Sequence, residues 1–225
     1  PQILGAVQDV ATFHREVVER ELNAVTDNPI FVEGAGAIHG GNFYGQHVSF
    51  ASDAALNAVI KLMVWSERRI ARITDPARNE GLPPFLMKRG AGLRSGFMGA
   101  QVTASSLVAH ARAHAHPASV QSMPTNGDNQ DVTSMGTIAA LKCYDIIERA
   151  FEVLAIEAMV LAQGVELLDG FDAPDHAGFS EQARDVVRFV RHHSPFLEDD
   201  RPLSDEIAHL ATQLHTQDAG FGRDV

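Results

Sequence analysis

A segment of fourteen residues, 123–136, gathers neutral carboxamides and acidic side chains between a proline turn and the predicted start of a long amphipathic helix. Carboxamides both donate and accept hydrogen bonds, and the dipole at the amino end of a helix favours developing negative charge. These properties suit a site that handles an anionic or electron-rich substrate. Asn, Asp, Gly and Thr are also ordinary capping and turn residues, so an elaborate helix cap is the alternative interpretation on local grounds.

Six further motifs accompany this segment, each next to helical sequence. They are Thr26-Asp27-Asn28-Pro29, His39-Gly40-Gly41-Asn42-Phe43, Ser66-Glu67-Arg68-Arg69-Ile70, Leu82-Pro83-Pro84-Phe85-Leu86, Gly92-Leu93-Arg94-Ser95-Gly96-Phe97-Met98 and His116-Pro117-Ala118-Ser119-Val120. In order and spacing they resemble the aromatic amino acid ammonia-lyases and aminomutases, which include histidine, phenylalanine and tyrosine enzymes. The resemblance runs from Pro1 to about Leu168. It implies a long-helix bundle of the ammonia-lyase type, and elimination of ammonia to an aryl acrylate or return of the amine to the β-carbon.

The electrophile of this family is a methylidene-imidazolone that forms from an Ala-Ser-Gly tripeptide, and this sequence has no such tripeptide. Three strings come near it: Ala51-Ser52-Asp53, Ala118-Ser119-Val120 and Arg94-Ser95-Gly96. The resemblance therefore implies that the chain is the carboxy-terminal part of a longer lyase. A missing amino-terminal half would provide the cofactor and the groups that hold the substrate carboxylate. The chain alone is expected to be inactive.

Three carboxamides of the opening segment receive roles from the resemblance. Asn129 and Gln130 match catalytic residues around the electrophile and the substrate amine, and Asn126 matches a substrate-binding residue. Histidine enzymes have a glutamate where this chain has Gln130, and a neutral amide leaves an uncharged aryl ring unpenalised. Tyrosine or phenylalanine is therefore the expected substrate, whereas the choice between those two, and between lyase and 2,3-aminomutase, stays open.

The resemblance also assigns three apolar residues to substrate binding. Phe43 matches a phenylalanine beside the electrophile and the substrate. Met98 and Val102 are four residues apart, hence on one helix face, and match the walls of a pocket for the aryl ring. Without the resemblance, all three would be interpreted as core residues. None of the six residues is the nucleophile or the base.

The apolar residues recur at alternating intervals of three and four, which predicts an all-α fold. The long helices are expected near residues 4–25, 46–74, 96–115 and 144–168, with loops near 27–45, 75–95 and 116–130. A heptad seam from Tyr144 to Leu168 needs a partner helix along its length. We expect a central bundle portion with the active-site loops at residues 1–168, and an acidic segment of two or three shorter helices at 169–225.

Composition narrows the class of protein. The 225 residues carry a net charge of −11, which argues against a sequence-independent grip on nucleic acid. From Glu166 onward there are 13 acidic and 5 basic residues, which predicts a solvated acidic surface rather than a catalytic region. The single cysteine, Cys143, is expected to be a buried thiol and excludes an internal disulfide. No apolar run reaches membrane-spanning length without a charge, so we expect a cytoplasmic protein with no membrane segment.

The sequence also bears on the oligomeric state and on alternative functions. Apolar seams favour an oligomer, and the resemblance implies a homotetramer with active sites shared between subunits. Ser122-Met123-Pro124 is similar to a catalytic loop of the fumarase and aspartase superfamily, but Thr125-Asn126-Gly127 departs from that loop. His110, His114 and His116 have spacing that a metal site could use, although no carboxylate is fixed nearby in sequence, and no metal is expected. A non-catalytic helical remnant that only oligomerises or binds a partner chain is the main alternative to an enzyme.

Overall fold

The computed structural model describes residues 1–90, 92–168 and 178–216. Within these ranges there are six α-helices and two short strands. The helices are α1 (Gln2–Leu22), α2 (Gln46–Thr74), α3 (Met98–Ala113), α4 (Gly136–Leu167), α5 (Glu181–His193) and α6 (Ser204–Thr216). The strands are β1 (Ile30–Val32) and β2 (Gly36–Ile38). The all-α prediction is confirmed, and each of the four predicted long helices has its counterpart.

The loop expected near residues 27–45 contains a small hairpin. Strands β1 and β2 pair antiparallel, with Ile30 opposite Ile38 and Val32 opposite Gly36. Gly34 and Gly36 have φ of 80° and 77°, which glycine adopts without steric cost. Three residues per strand are too few for an alternating pattern to appear in the sequence, so this hairpin was not predicted.

The chain divides into two compact units. The first unit comprises residues 1–62 and 111–147, and the second comprises residues 63–110 and the chain from 148 onward. The predicted boundary at 168 borders residues 169–177, which lie outside the described ranges. That boundary stays a prediction.

Each unit has its own apolar core. Fully buried side chains of the first unit include Ala51, Leu56, Ala139 and Ile146. Those of the second unit include Met63, Ile70, Leu86, Met87, Phe97, Ile156, Met159, Leu197 and Leu210. Cys143 is buried as predicted, and desolvation, followed by the negative charge of Asp53, raises the pKa of its thiol. A raised pKa keeps the thiol protonated and unreactive.

Helix α4 buries a different face from the one that its heptad pattern singles out. Ile146, Val153 and Ile156 are buried, whereas the seam residues Tyr144 and Leu154 are 63% and 40% exposed. The helix is apolar on more than one side, so periodicity alone does not choose the face that packs within the chain. Within the described residues the predicted seam is covered only in part: Phe151 stacks on His215, with ring centroids 4.6 Å apart, whereas Leu161 is exposed.

Helix α2 is the one described helix that is long and apolar enough to cross a membrane by length and composition alone. Core helices of soluble proteins meet the same criterion, and 39% of its most apolar window is buried inside the protein. The carboxylates of Asp53 and Glu67 lie on this helix in buried positions. The expectation of no membrane segment stays a prediction.

The carboxy-terminal segment is more than an acidic surface. Ser180 caps α5 by accepting the Ala183 N–H at 3.2 Å, and Val187 and Val190 of that helix are buried. Leu197 in the following loop and Leu210 on α6 are buried as well. The segment therefore also contributes apolar side chains to a core, because an excess of charge on one face does not exclude burial of the other. Its interpretation as an acidic surface rather than a catalytic region stays a prediction.

Candidate functional site

The carboxamide-rich segment forms a narrow loop whose two sides are hydrogen-bonded. The Thr125 N–H donates to the Gln130 carbonyl at 2.9 Å, and the Gln130 N–H donates back at 3.3 Å. Asn126, Gly127 and Asp128 form the tip, with φ of 55°, 63° and 64°. These are the residue types that adopt left-handed backbone most readily, so the sequence itself produces the tight turn.

The base of this loop is closed by side-chain hydrogen bonds. The Thr133 N–H donates to Ser122 Oγ at 3.0 Å, and the Met123 N–H donates to Thr133 Oγ1 at 3.3 Å. At the tip side, Gln130 Nε2 donates to Asn129 Oδ1 at 3.3 Å, so the two predicted catalytic carboxamides are neighbours that orient each other. The loop thus presents its amides on a defined backbone.

The loop leads directly into the amino end of α4. Helix α4 begins at Gly136, and the Ala139 N–H donates to the Met135 carbonyl at 3.0 Å. The amides of Gly136, Thr137 and Ile138 precede this bond and have no acceptor earlier in the helix. The predicted juxtaposition of the carboxamides with a helix amino terminus is confirmed, and it gives the site a partial positive potential.

An open cavity of about 350 Å³ lies where this helix terminus meets the loop. Its lining includes no charged side chain, and we call it the uncharged cavity. The lining residues are Phe43, Tyr44, Gln130, Val132, Thr133, Ser134, Met135, Gly136, Thr137 and Ile138. Aromatic and aliphatic walls with one carboxamide and several hydroxyls suit a neutral, flat substrate group that needs few polar contacts.

A second open cavity, of about 550 Å³, shares part of this lining. Phe43, Tyr44, Gln130 and Val132 line both cavities, and the second adds Asp27, Asn28, Asn129 and Asp131. We call it the acidic cavity because of its two aspartates. Asn28 is held in place by accepting the Gly40 N–H on Oδ1 at 3.0 Å. Carboxylates in such a position favour a cationic group.

The structure brings together three of the six predicted site residues. Phe43, half exposed, and Gln130 line both cavities, and Asn129 lines the acidic one. Asn126 belongs to the same loop, at its tip, and is absent from both linings. Met98 and Val102 lie on α3 in the second unit, where they are 41% and 58% exposed. They are therefore not the core residues that their spacing alone would indicate.

Sequence reasoning did not include two residues of this site. Tyr44 lines both cavities directly after Phe43, and Asp27 contributes to the acidic cavity. Asp27 belongs to a motif that was already noted and Tyr44 directly follows another, so the signal available was their adjacency to Asn28 and Phe43. Among residues 1–90, 92–168 and 178–216, no group of three or more His, Cys, Asp or Glu side chains is arranged to hold a metal ion.

A cavity of about 670 Å³ in the second unit is larger than either of these. It is lined mainly by small and apolar residues of α3 and α6, and it includes none of the six predicted site residues. Its lining holds three charged side chains, and all three have partners. Glu152 accepts from Arg149, Arg201 donates to Glu206, and Asp200 accepts backbone N–H groups of the turn before α3. Size alone therefore does not make it the candidate site.

Comparison with known proteins agrees with the motifs. The family model for aromatic amino acid lyases matches residues 1–192. A tyrosine ammonia-lyase of Cereibacter sphaeroides is 52% identical over 96% of this chain and 41% of that protein. The MIO-dependent tyrosine 2,3-aminomutase of Streptomyces globisporus is 42% identical over 95% of this chain and 39% of that protein.

Solved structures show the same relationship. The crystal structure of the tyrosine aminomutase from Streptomyces globisporus matches with a TM-score of 0.87 over 95% of this chain and 40% of that chain, at 42% identity. Histidine ammonia-lyase from Trypanosoma cruzi matches with a TM-score of 0.86 over 96% and 41%, at 35% identity. The chain thus spans about two fifths of the length of the relatives that it matches.

Proposed function

Since this chain belongs to the aromatic amino acid lyase family, we propose that it supplies part of the active site of an ammonia-lyase or 2,3-aminomutase acting on tyrosine or phenylalanine. In this proposal it forms the carboxy-terminal portion of the enzyme. The observation that carries the proposal is the shared lining of Phe43 and Gln130, which come from distant motifs and meet at the uncharged cavity.

The residues present fit the family's cofactor. A methylidene-imidazolone, formed from an Ala-Ser-Gly tripeptide outside this chain, would supply an electrophilic carbon at the cavity. Asn129 and Gln130 would hold it and the substrate amine, because their amides can donate to a carbonyl oxygen and accept from an amine. The backbone amides at the start of α4, which have no acceptor earlier in the helix, stabilise negative charge that develops nearby.

The aromatic residues act on the substrate ring. Phe43 and Tyr44 form one wall of the uncharged cavity, and Val132, Met135 and Ile138 form apolar surface beside them. This apolar surface packs against the ring and fixes its orientation, which places the reacting carbons. The base that removes the β-proton belongs to another part of the enzyme.

The preference for an uncharged ring follows from the same lining. An imidazole that gains a proton is stabilised by a nearby carboxylate, whereas the uncharged cavity offers the neutral amide of Gln130. The aspartates of the acidic cavity suit an ammonium group and so match the other end of an amino acid, or the ammonia that leaves. The two related enzymes described above, a lyase and an aminomutase, both carry tyrosine in their names.

Assembly completes the proposal. Large apolar side chains stand exposed on the helices: Leu22, Leu141 and Tyr144 are among them. Exposed apolar seams of this length need a cover, which a homotetramer together with the amino-terminal half of the enzyme would provide. A single buried cysteine agrees with a reducing, cytoplasmic setting.

The test uses the full-length enzyme that contains this chain, incubated separately with tyrosine, phenylalanine and histidine. We expect ammonia release, with an ultraviolet-absorbing aryl acrylate or a β-amino acid, from tyrosine or phenylalanine in preference to histidine. In the Gln130→Glu variant, the ratio of kcat/KM for histidine over tyrosine should rise about tenfold, since a carboxylate in the cavity lining favours a cationic ring over a neutral one. Gln182→Glu, an exposed position on α5, is the matched control and should leave the ratio unchanged.

Two results would contradict the proposal. Turnover of histidine faster than either aryl amino acid would reject the substrate preference. No turnover of any of the three, by a protein that assembles normally, would leave the non-catalytic helical remnant as the better description.

A further inference from the structure

The start of α3 is held by an acidic residue from the far end of the chain. The carboxylate of Asp200 accepts the Ser95 N–H on Oδ2 and the Gly96 N–H on Oδ1, each at 2.8 Å. These residues immediately precede α3, which has no acidic side chain in its own first turn. Asp200 therefore provides the negative charge that helix amino ends normally obtain locally.

The charge of Asp200 matches this role. Hydrogen bonds from the Ser95 N–H, then from the Gly96 N–H, lower the pKa of the Asp200 carboxyl, so it stays ionised at neutral pH. Two charge-assisted hydrogen bonds to consecutive amides fix the direction of the backbone as it enters the helix. The Met98 N–H then donates to the Ser95 carbonyl at 3.1 Å, which continues the same turn into α3.

The loop that carries Asp200 is itself fixed to the helix core. Gln163 on α4 is fully buried, and its Oε1 accepts the Leu197 N–H while its Nε2 donates to the Leu197 carbonyl, both at 3.0 Å. Gln163 Nε2 also donates to the Leu86 carbonyl at 3.3 Å. One buried amide thus joins the loop before α6 to the turn before α3.

Arginine contacts add a second connection on the surface. Arg94 donates to the Glu198 carbonyl at 3.0 Å and forms an ion pair with Asp199. Arg201 donates to Glu206 at 2.7 Å and to the Pro195 carbonyl at 2.7 Å, which closes the loop on itself. We call Arg94, Gln163 and Asp200 the α3 clasp.

What the clasp positions is the first two turns of α3. Met98 and Val102 occupy these turns on one face, and their side chains remain largely exposed while neighbouring Phe97 and Ala100 are buried. An exposed methionine and valine on a rigid helix face offer apolar surface to something that approaches from outside it. The family resemblance assigns these two residues to the aryl-ring pocket.

We propose that Asp200 is a positioning residue for substrate binding, which sets the α3 turn that presents Met98 and Val102 to the aryl ring. This inference rests on the proposed function, because the ring is that of the proposed substrate. It gives part of the acidic carboxy-terminal segment a role in binding that its composition does not indicate.

The experiment measures steady-state kinetics of the full-length enzyme with the preferred aryl amino acid. Asp200→Asn replaces one accepting oxygen by an NH₂ group that faces a backbone N–H, so one of the two hydrogen bonds to the turn before α3 is lost. The first residues of α3 are then less well fixed, as after the loss of a helix cap. The KM should therefore rise about fivefold, with a smaller change in kcat. Asp205→Asn removes an exposed acid of the same segment and should leave both constants unchanged. If Asp200→Asn does not fold, Asp199→Asn loosens the same loop and should raise the KM in the same direction.

A double-mutant cycle separates positioning from general stability. In a Met98→Ala background, Asp200→Asn should raise the KM by much less than it does in the wild type, because the contact that it positions is already gone. Equal rises in both backgrounds, or a loss of kcat with an unchanged KM, would overturn the inference. A merely structural role lowers the amount of active enzyme and leaves the KM as it was.

Hydrogen exchange keeps this inference distinct from the proposed function. The Gln101 and Val102 amides of α3 should exchange faster in Asp200→Asn than in Asp205→Asn. If the wild-type enzyme turns over no aromatic amino acid, the proposed function fails while this measurement still decides whether Asp200 holds the helix. Unchanged exchange would reject the positioning role whatever the activity.

Discussion

The loop at residues 123–135 and the α3 clasp use similar polar side chains in opposite ways. Asn129 and Gln130 are exposed and share one hydrogen bond with each other, which leaves amide donors and acceptors available. Gln163 is buried with both ends of its amide bonded to backbone, and both oxygens of Asp200 accept backbone N–H groups. Unused hydrogen-bonding capacity on an ordered backbone marks the first region for recognition, whereas complete pairing marks the second as scaffold.

This difference predicts which substitutions affect folding and which affect chemistry. A change in the clasp should alter the free energy of unfolding first and activity only through geometry. A change in the candidate-site loop should alter activity while the stability stays nearly constant.

Gly96→Ala should give the largest effect on stability. A Cβ at Gly96 would lie 2.6 Å from the Phe85 carbonyl oxygen, and the residue has a φ of 53°. Both the contact and the backbone angle are unfavourable for alanine, so the variant should lose about 3 kcal/mol of unfolding free energy in denaturant titration. Gly99→Ala is the matched control, because nothing lies within 4 Å of its Cβ.

The control should gain about 0.5 kcal/mol, since alanine is the better helix former. A Gly96→Ala variant as stable as Gly99→Ala would show that the clasp tolerates rearrangement. The fully hydrogen-bonded clasp would then not be more sensitive to substitution than the rest of the protein.

Helix positions were the part of the fold that the sequence predicted well. The dominance of small and aliphatic residues with few helix breakers between residues 46 and 74 predicts α2 with the bounds that the structure has. The choice of buried face was harder, as α4 shows: Ile156 and Leu154 are both apolar, yet only Ile156 is buried. Periodicity finds a helix from its own residues, whereas the face that packs depends on partners that are distant in sequence.

The candidate site was predictable only through resemblance to a family. Nothing local to Phe43 indicates that it shares a cavity with Gln130. Asp200 was beyond prediction by either route, because its partners are the backbone amides of Ser95 and Gly96, 105 and 104 residues away. Backbone amides occur at nearly every residue and leave no side-chain signature in the sequence.

Asn129→Ala should lower activity while it leaves stability nearly unchanged. Its side chain is exposed and accepts a single 3.3 Å hydrogen bond from Gln130, so the unfolding free energy should change by less than about 0.5 kcal/mol. Ammonia release by the full-length enzyme should nevertheless fall about a hundredfold, as when one stabilising amide is removed from an active site. A stability loss in parallel with the activity loss would make this loop structural after all.

Acidification should lower the free energy of unfolding through the histidines of α5 and α6, and this is the smallest of the three expected effects. His193 on α5 lies 3.1 Å from His209 on α6, measured between Nδ1 and Nε2. Desolvation lowers the pKa of His193 below its ordinary value, and the charges of His192 and His209 lower it further. The unfolded chain then binds the proton first, so stability is complete above about pH 6.5 and falls as the pH drops through the lowered pKa.

The His209→Gln variant isolates this contribution. It removes one repelling charge while it keeps a side chain that can hydrogen-bond, so the unfolding free energy should decline less steeply below about pH 6.5 than in the wild type. Burial also lowers the pKa of His14 on α1, and that contribution of the same sign remains in the variant. His39→Gln, at an exposed position of the hairpin loop, should keep the wild-type slope. If the unfolding free energy changes with pH equally in the wild type, His209→Gln and His39→Gln, then His209 does not disfavour protonation of His193. The α5–α6 contact would then accommodate a second positive charge without loss of stability.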